Sequence, residues 1–374
     1  MKYILIGDFD IRSNNRGTAA LGYGAIEFLK QKGFIEEGDE FIKYNFYKIP
    51  FRKRNHVIEK TLDVYGTQWK HTTLNVFFLE RILLKLHMLF WHSRFKKAIR
   101  NTKIVAAING GDGLTDIYGD YMLYARIRDI CLAKEFEIPY IILPQTIGPF
   151  LKKENKENIV KVLKGAENVY VRDHNFDSEL IDSDISFANT NDLSYYMKPM
   201  PFNIDINHPA VGINLSGLAY SNNYGNLVGQ FDNYSSLIED LINNFRDKGL
   251  NIYIIPHSYN IQTPEENNDD MISSREFYSR LSNKAKVSLI DMDLISPQIK
   301  YLISQMDYFV GTRMHANFAA IFTNTPVFGL AYSYKFEGAF SVNGLKNSTF
   351  MINNMKKEDI PSLINTINKK FELN

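Results

Sequence analysis

The chain has 374 residues, of which 45% are apolar and 23% are charged, and its formal net charge is +1. This composition is typical of a soluble globular protein and excludes long disorder, a collagen-like chain and a coiled coil. The small net charge also argues against a nucleic-acid-binding protein. The length is too great for a typical single hydrophobic core and predicts two domains.

Three features of the sequence predict a cytoplasmic location. Cys131 is the only cysteine, which excludes an internal disulfide framework and fits a reducing compartment. The N-terminal apolar run, residues 3–6, is too short for a signal peptide and ends at Gly7 and Asp8. No segment approaches the roughly 20 apolar residues that a membrane-spanning helix requires.

Short apolar runs alternate with helix-like segments in the first half of the chain, which predicts a mostly parallel sheet with helices on both faces. A stretch rich in Asn and Asp, with Pro199, Pro201 and Pro209, then predicts an interdomain linker. The predicted strands are 2–7, 103–108, 140–143 and 168–171, and the predicted helices are 17–32 and 119–135.

The same alternation resumes after the prolines. It predicts an α/β fold of two doubly wound, Rossmann-like domains that face a cleft, residues 1–200 and 201–374. Ligands are expected at the carboxyl ends of the strands. The predicted strands are 211–215, 252–255, 308–310 and 326–330, and the predicted helices are 232–248, 299–306, 314–322 and 357–371.

Residues 41–104 carry fourteen Lys or Arg and three Asp or Glu, a local net charge of +11. One interpretation is a solvated basic surface. Within this region, residues 74–100 place apolar side chains near helical spacing with basic residues between them, which predicts an amphipathic helix. Such a helix could lie on an anionic membrane or hold a negatively charged acceptor.

Polar and glycine-rich loops follow the predicted strands. Four potential cations lie at or near strand ends, which suits a small substrate with both a carboxylate and a phosphate. Glycines let backbone N–H groups approach an anion, and a helix that starts there adds unpaired N–H donors. The cations are Arg172, Arg313, His315 and Lys335, and the candidate loops are Asn15-Arg16-Gly17, Gly110-Gly111-Asp112-Gly113, Gln145, Arg172-Asp173, His257 and Gly311-Thr312-Arg313-Met314-His315.

Each of these loops also has a purely structural interpretation. Arg172 and Asp173 could form an ion pair that caps a helix, and the run of glycines could be a simple turn. His257 could be a hydrogen-bonded loop residue, and Lys335 a surface lysine. The segment that ends at His315 is the strongest candidate, because it places an arginine and a histidine two residues apart at a strand-to-helix turn.

Several common motifs are absent from the sequence. It contains no phosphate loop, no dinucleotide fingerprint after the first strand, no zinc-protease motif and no nucleophile elbow. The pairs Asp8/Asp10 and Asp291/Asp293 have a spacing that often arises by chance, so no metal site is predicted.

The ordered set of motifs resembles the polysaccharide pyruvyltransferase family. Each motif is weak alone, whereas the set in this order is specific and covers most of the chain. The resemblance implies a fold like that of the two-domain GT-B glycosyltransferases and transfer of a pyruvyl group from phosphoenolpyruvate to a sugar as a cyclic ketal. The motifs are Gly7-Asp8, Asn15-Arg16-Gly17, Gly110-Gly111, Gln145-Thr146-Ile147-Gly148-Pro149, Val171-Arg172-Asp173, Asp192, Pro256-His257, Gly311-Thr312-Arg313-Met314-His315-Ala316, Thr325-Pro326-Val327 and Tyr332-Ser333-Tyr334-Lys335.

The resemblance also implies roles for individual residues. His315 would be the essential histidine, Lys335 the family's lysine, and Arg172 an arginine that contacts the donor. Phosphoenolpyruvate would be a co-substrate, with no cofactor or metal. Further donor contacts are expected at Arg313, Gly311, Thr312 and His257, and acceptor contacts in the first domain at Asn15, Arg16, Asp112, Gln145 and Asp173.

The acceptor is expected to be a sugar or a lipid-linked glycan, with peripheral contact at the inner face of the cytoplasmic membrane through the basic region. Thr18 and Asp112 depart from the family's usual pattern in two acceptor-side loops, which leaves the acceptor open. Two alternatives compete with pyruvyl transfer. One is a GT-B glycosyltransferase that uses a nucleotide sugar, and the other is a glycan-binding subunit on a decayed enzyme fold.

Overall fold

The computed structural model describes residues 2–49, 56–88, 93–333 and 335–373, and for Lys335 the backbone alone. The chain forms two compact units. The first consists of Met1–Phe9 and Leu21–Tyr196, and the second of Asp10–Ala20 and Met197–Asn374. This division differs from the expected boundaries 1–200 and 201–374 mainly at Asp10–Ala20, which lies near the N-terminus but belongs to the second unit.

The first unit is built on a sheet that has eight strands in the part of the chain the structure describes. Its strands are β1 (Tyr3–Gly7), β2 (Glu40–Tyr47), β3 (Val57–Val64), β4 (Thr67–Phe77), β5 (Thr102–Ala107), β6 (Tyr140–Gln145), β7 (Asn168–Val171) and β8 (Ala188–Asn189). They lie in the order β3-β4-β2-β1-β5-β6-β7-β8. Neighbouring strands are parallel except in the antiparallel hairpin β3–β4.

The central strands of this sheet are mostly apolar and largely buried. Leu5, Val105 and Ile142 belong to one buried core cluster, and all six residues of β6 are buried. Strands buried on both faces need helices on both faces, as in doubly wound folds. The helices up to residue 196 are α1 (Arg16–Gln31), α2 (Phe78–Lys85), α3 (Arg94–Asn101), α4 (Asp120–Arg126), α5 (Arg128–Glu135), α6 (Lys153–Lys164), α7 (Asp177–Asp182) and α8 (Leu193–Tyr196).

The prediction of one amphipathic helix over 74–100 is wrong. Leu74 and Val76 are buried in β4, which pairs with both β2 and β3. The described helical parts of this segment are α2 and α3, while residues 89–92 lie outside the described residues. A turn with positive φ at Tyr65 and Gly66 connects β3 to β4. The sheet takes residues 74–77 because pairing with two strands outweighs local helical spacing.

The second unit contains a sheet of six parallel strands within the described residues. These are β9 (Ala210–Asn214), β10 (Asn251–Ile254), β11 (Val287–Leu289), β12 (Tyr308–Gly311), β13 (Val327–Ala331) and β14 (Thr349–Met351). They lie in the order β11-β10-β9-β12-β13-β14. Numbered within the unit, this is the order 3-2-1-4-5-6 of a Rossmann fold, which binds ligands where the order reverses.

The helices of the second unit cover a core that includes Ile213, Leu241 and Val310. The four strands and four helices predicted after the prolines are confirmed, with end points shifted by a few residues. In the first unit, the predicted helix 119–135 is divided at Ile127 into α4 and α5. The remaining helices are α9 (Gly217–Ser221), α10 (Tyr234–Asp247), α11 (Asp270–Arg280), α12 (Ser296–Ser304), α13 (Met314–Ile321), α14 (Lys335–Val342) and α15 (Ile360–Lys370).

Among the helices that the structure describes, none has both the length and the apolar character needed to cross a bilayer.

Candidate active site

The strand order of the second unit reverses between β9 and β12, and polar residues follow both strands. Asn214 is the last residue of β9, and Arg313 lies two residues beyond β12. The Asn214 side chain links them, because its Oδ1 accepts from the Arg313 backbone N–H at 2.8 Å. Its Nδ2 donates to the Ile255 carbonyl at 3.0 Å, which ties in the loop after β10.

A buried carboxylate, Asp270, organises the same strand ends. It is fully buried at the start of α11 and accepts backbone N–H bonds from Gly217 at 2.8 Å, His257 at 3.1 Å and Ser258 at 2.9 Å. Arg313 adds a charged bond, with Nη2 at 2.7 Å from Oδ1. One side chain therefore fixes the loops that follow three of the strands.

The guanidinium of Arg313 is held inside the unit. Its Nη2 also donates to the carbonyl and the side-chain oxygen of Asn268, at 2.9 and 2.8 Å. Burial acts to lower the pKa of Arg313, but the Asp270 carboxylate more than offsets this and raises it above its usual range. Arg313 therefore stays charged while it braces the turn, and its contact with the donor remains a prediction.

His257 follows β10 and is buried. Burial lowers the pKa of its imidazole well below the usual range, and the nearby His315, Arg313 and Arg16 lower it further. The ring is therefore neutral at physiological pH. Any contact of His257 with the donor would be a hydrogen bond rather than an ion pair.

Arg16 attaches the segment Asp10–Ala20 to the second unit. Its Nε donates to the Leu294 carbonyl at 2.8 Å, its Nη2 contacts Asp293 at 2.9 Å, and its guanidinium lies 4.3 Å from the centre of the Tyr259 ring. Its Nη1 donates to further carbonyl oxygens of the same unit. These contacts explain why the segment belongs to the second unit, whereas Asn15 and Arg16 were expected in the first domain.

The anchored segment places Gly17 directly beside His315. A Cβ at Gly17 would lie only 2.6 Å from Nδ1 of the imidazole and 3.0 Å from Oδ1 of Asn15. The Asn15 Oδ1 accepts from the Gly17 N–H at 2.9 Å. The half-buried imidazole packs edge-on against Phe318, with ring centroids 5.6 Å apart. The lack of a side chain at Gly17 therefore makes room for His315.

Thr312 and Gly311, which were also expected to contact phosphoenolpyruvate, make structural contacts within the second unit. Thr312 is fully buried and shares a hydrogen bond of 2.8 Å with the Tyr234 hydroxyl. Gly311 contacts Asn317, whose Nδ2 donates to the Gly311 carbonyl at 2.9 Å. The backbone of Lys335 begins α14, and its side chain lies outside the described residues.

The first unit has its own strand-end cluster around Arg172, directly after β7. The guanidinium is buried, with Nη1 at 2.5 Å from Asp192 and Nε donating to Thr146 Oγ1 at 3.0 Å. Thr146 in turn donates to Asp173. Burial acts to lower the pKa of Arg172, but the Asp192 carboxylate and the more distant Asp112 raise it overall.

The glycine-rich loop after β5 approaches this arginine closely. A Cβ at Gly111 would lie 3.0 Å from Nη1 of Arg172, and the positive φ of 81° already favours glycine there. Asp112 accepts from the Tyr118 hydroxyl at 2.9 Å and contacts Arg126 at 3.3 Å. The glycines thus place the Asp112 carboxylate in the same cluster as Arg172.

Gln145 is buried at the end of β6. Its Nε2 donates to the carbonyls of Ala107 and Leu143, both at 3.0 Å, and its Oε1 accepts from Asn109 at 3.1 Å. The side chain therefore joins β5 to β6, and its contact with the acceptor remains a prediction.

Arginine side chains hold the second of the two Asp-x-Asp pairs. In the second pair, Asp291 is held by Arg275, with Nη2 at 2.5 Å, and Asp293 by Arg16. Within the described residues, no group of three or more His, Cys, Asp or Glu side chains is arranged to hold a metal ion.

The sequence analysis missed two residues that organise these clusters, Asp270 and Asn214. Asn214 is the last residue of β9 and lies one residue before the end of the predicted strand 211–215, so the strand-end rule applied to every strand would have included it. Asp270 opens a helix that was not predicted, so no local pattern distinguishes it from the neighbouring acidic and amide residues.

The family model of polysaccharide pyruvyl transferases matches residues 15–334, nearly the whole chain. The protein belongs to this family. The match confirms the resemblance seen in the ordered motifs, and it makes the protein a transferase of polysaccharide metabolism. A comparison with curated proteins found no match.

Solved structures show the same fold at low sequence identity. The UDP-GlcNAc 2-epimerase from Methanocaldococcus jannaschii is 9% identical, with a TM-score of 0.54 over 100% of this chain and 92% of that chain. A complex of MnaA with UDP from S. aureus is 12% identical, with a TM-score of 0.50 over 100% of this chain and 91% of that chain. These similarities confirm the expected α/β fold of two GT-B-like, Rossmann-type units.

The lowered pKa of His257 predicts a specific pH dependence of stability. Below about pH 6.5 the unfolded chain binds a proton at this histidine while the folded chain does not, so stability falls as the pH falls. Each pH unit below that point should cost wild type about 1.4 kcal/mol more than His257→Gln. Urea unfolding at pH 7.5, 6.5 and 5.5 measures this difference. The exposed His174→Gln is the control, and parallel curves for wild type and His257→Gln would contradict the prediction.

The contact between Gly17 and His315 predicts that Gly17→Ala displaces the imidazole. The new methyl group would overlap the ring, whereas alanine itself is a better helix former than glycine at this position in α1. We expect the His315 resonance in a histidine-labelled NMR spectrum to move, with little loss of thermal stability. The His315→Ala variant assigns the resonance, and Thr18→Ala is the control. An unmoved His315 resonance in Gly17→Ala would show that the close contact is absent in solution.

Proposed function

We propose that this protein transfers a pyruvyl group from phosphoenolpyruvate to two hydroxyls of one sugar in a bacterial surface or extracellular polysaccharide, or in its precursor. The observation that carries the proposal is the family match over residues 15–334. The arrangement of His315 beside Gly17, at the strand-to-helix turn that Arg313 and Asp270 brace, supports it.

In the proposed reaction, a proton adds to the methylene carbon of phosphoenolpyruvate, which becomes a methyl group and leaves C2 electron-poor. The oxygen of one sugar hydroxyl bonds to C2, the C2–O bond to phosphate breaks, and the second hydroxyl oxygen bonds to C2. The two hydroxyl protons balance the proton that the methylene takes up and the proton that leaves with phosphate. Because no electrons are gained or lost, the reaction needs no redox cofactor.

His315 is the proposed general acid for the methylene carbon. Histidine has an unperturbed pKa near physiological pH, which suits proton transfer in both directions. The ring orientation is set by Phe318 on one side and by the close approach of Gly17 on another. A general acid held in this way needs little rearrangement before it reacts.

The anionic groups of the donor need positive partners. The first turn of α13 offers backbone N–H groups that have no partner within the helix, next to the charge of Arg313. Lys335 and Arg172 are the proposed side-chain contacts, as the family resemblance implies. The neutral His257 would add a hydrogen bond.

The first unit is the proposed acceptor side. The Asp112 and Asp173 side chains are only partly buried and belong to the Arg172 cluster. A carboxylate accepts hydrogen bonds from sugar hydroxyls and is the proposed base for a hydroxyl that attacks C2.

Phosphoenolpyruvate should raise the melting temperature of the wild-type protein, because a ligand that binds only the folded state stabilises it. UDP and UDP-sugars should produce no comparable shift. His315→Ala should keep the phosphoenolpyruvate shift but lose at least about 100-fold in phosphate release with oligosaccharide acceptors, the usual size of a general-acid contribution. Thermal-shift titration and a phosphate-release assay measure the two effects.

The exposed His174→Ala is the matched control and should keep both the shift and the turnover. A shift with nucleotides alone would contradict the proposal and favour the glycosyltransferase alternative. Full turnover in His315→Ala would remove this histidine from the mechanism.

We also propose that the protein acts at the inner face of the cytoplasmic membrane on a lipid-linked glycan. No residue of α2 is buried, and Phe78 and Leu79 are exposed apolar side chains on it. Leu86 and Met88, just beyond α2, are also exposed and apolar. This apolar surface lies within the strongly basic region 41–104, a combination that binds anionic lipid surfaces.

This proposal predicts sedimentation with anionic vesicles. With 30% phosphatidylglycerol in phosphatidylcholine, binding should be strong at about 50 mM salt and weak at about 500 mM, where charges are screened. The double variant Leu79→Asp/Leu86→Asp should bind at least about fivefold more weakly, because its apolar contact is lost. Ile181→Asp, a change at an exposed residue of α7, is the control. No sedimentation of wild type at low salt would refute membrane contact.

A further inference from the structure

Within the described residues, the first unit exposes several large aromatic and apolar side chains, of which only Tyr118 contacts a residue of the site described above. We call this group the tyrosine ledge, and it consists of Tyr118, Tyr121, Met122, Tyr124 and Leu151. Tyr121 is 84% exposed and Leu151 is 74% exposed. Three of these residues lie within α4, and Tyr118 lies just before it. Isolated apolar side chains are common on surfaces, whereas several large ones on one short segment are typical of a binding site.

The ledge is continuous with the Arg172 cluster. Tyr118 donates its hydroxyl to Asp112 at 2.9 Å, and the Arg126 guanidinium lies 5.5 Å from the centre of the Tyr118 ring. Asp112 belongs to the same electrostatic cluster as Arg172. A ligand at Asp112 that extends along α4 would therefore meet Tyr118 and then Tyr121.

A buried carboxylate holds the parts of the ledge together. Asp116 accepts from the backbone N–H groups of Leu151 at 2.6 Å and Lys152 at 2.9 Å, and from the Asn155 side chain at 2.8 Å. The Tyr124 hydroxyl donates to the same Asn155 at 3.2 Å. These bonds tie the loop that carries Leu151 to α4 and α6, so a ligand would not have to order this surface on binding.

The chemistry of the ledge favours a carbohydrate over other ligands. The flat face of a sugar ring carries C–H groups that pack on aromatic rings, while its hydroxyls need hydrogen-bond acceptors at the edge. Three tyrosines supply the rings. Asp112, which accepts from the Tyr118 hydroxyl, and Asp120, which pairs with Lys152 at the start of α4, supply carboxylates. Residues 112–126 contain three aspartates and one arginine, and Lys152 beside Leu151 pairs with Asp120. The ledge is therefore not a basic surface, which disfavours an anionic membrane or a nucleic acid.

We propose that the tyrosine ledge binds the sugar residues next to the one that is modified, so that the acceptor is an oligosaccharide or polysaccharide chain rather than a monosaccharide or a small nucleotide sugar. This inference rests on the proposed function, since it assigns the acceptor of that reaction. It predicts that affinity rises with chain length up to the number of sugars that the ledge can contact.

The test is binding to an array of bacterial surface oligosaccharides of one to eight sugar residues. Wild type should bind at least one series, with an affinity that rises with length. Tyr121→Ala should weaken binding to the longer chains at least about tenfold, equivalent to about 1.4 kcal/mol, and leave monosaccharides unaffected. Tyr121→Phe keeps the ring and should bind within about twofold of wild type, and Ile181→Ala is the surface control.

Every outcome of this test decides the inference. Equal binding of long chains by wild type and Tyr121→Ala, or no glycan bound by wild type, overturns it. A dimer in sedimentation velocity that Tyr121→Ala dissociates, with glycan binding unchanged, would show that a second copy of the chain covers the ledge instead.

Failure of the proposed function gives a different result. If wild type shows no thermal shift with phosphoenolpyruvate but loses glycan binding in Tyr121→Ala, the ledge inference stands and pyruvyl transfer fails. If phosphoenolpyruvate stabilises wild type and Tyr121→Ala equally and the array shows no dependence on Tyr121, only the ledge inference fails.

Discussion

The second unit depends on the buried ion pair between Asp270 and Arg313. The carboxylate has no exposure to solvent, and the arginine is almost as buried. Removing one partner of such a pair typically costs about 3–5 kcal/mol, because a charge remains buried without compensation. Asp270 also accepts the backbone N–H groups of His257 and Ser258, so the loop after β10 and the turn before α13 are fixed by the same carboxylate.

The first unit has the same type of pair. Arg172 follows β7 and contacts Asp192, as Arg313 follows β12 and contacts Asp270. In both units an arginine is placed by the end of a parallel strand, and an aspartate from elsewhere in the chain holds its guanidinium: Asp192 follows Arg172, whereas Asp270 precedes Arg313. The physical result is a cation at a strand end whose orientation is set before any ligand arrives.

The segment Asp10–Ala20 shows how a few side chains can decide which unit a stretch of chain joins. Within the described residues, the side-chain hydrogen bonds of Arg16 go to groups of the second unit, and Gly17 of the same segment closely approaches His315. A residue that reads as part of an acceptor loop in the sequence therefore becomes the neighbour of the proposed general acid. The proposed acceptor contacts are then the carboxylates of Asp112 and Asp173 in the first unit.

The sequence by itself determined the class of the fold and most of its central strands, because buried parallel strands are continuous apolar runs. It also determined the list of strand-end residues, because polar residues and glycine mark the ends of the strands. It could not determine the hairpin β3–β4, since residues 74–77 have a spacing that suits either a helix or a strand until β2 and β3 provide partners. It also could not show that the side chains of Arg16, Gln145 and Arg313 form hydrogen bonds to other groups of the protein. Those partners, such as Asp270 and Leu294, are far away in the sequence, and only the tertiary structure brings them within hydrogen-bonding distance.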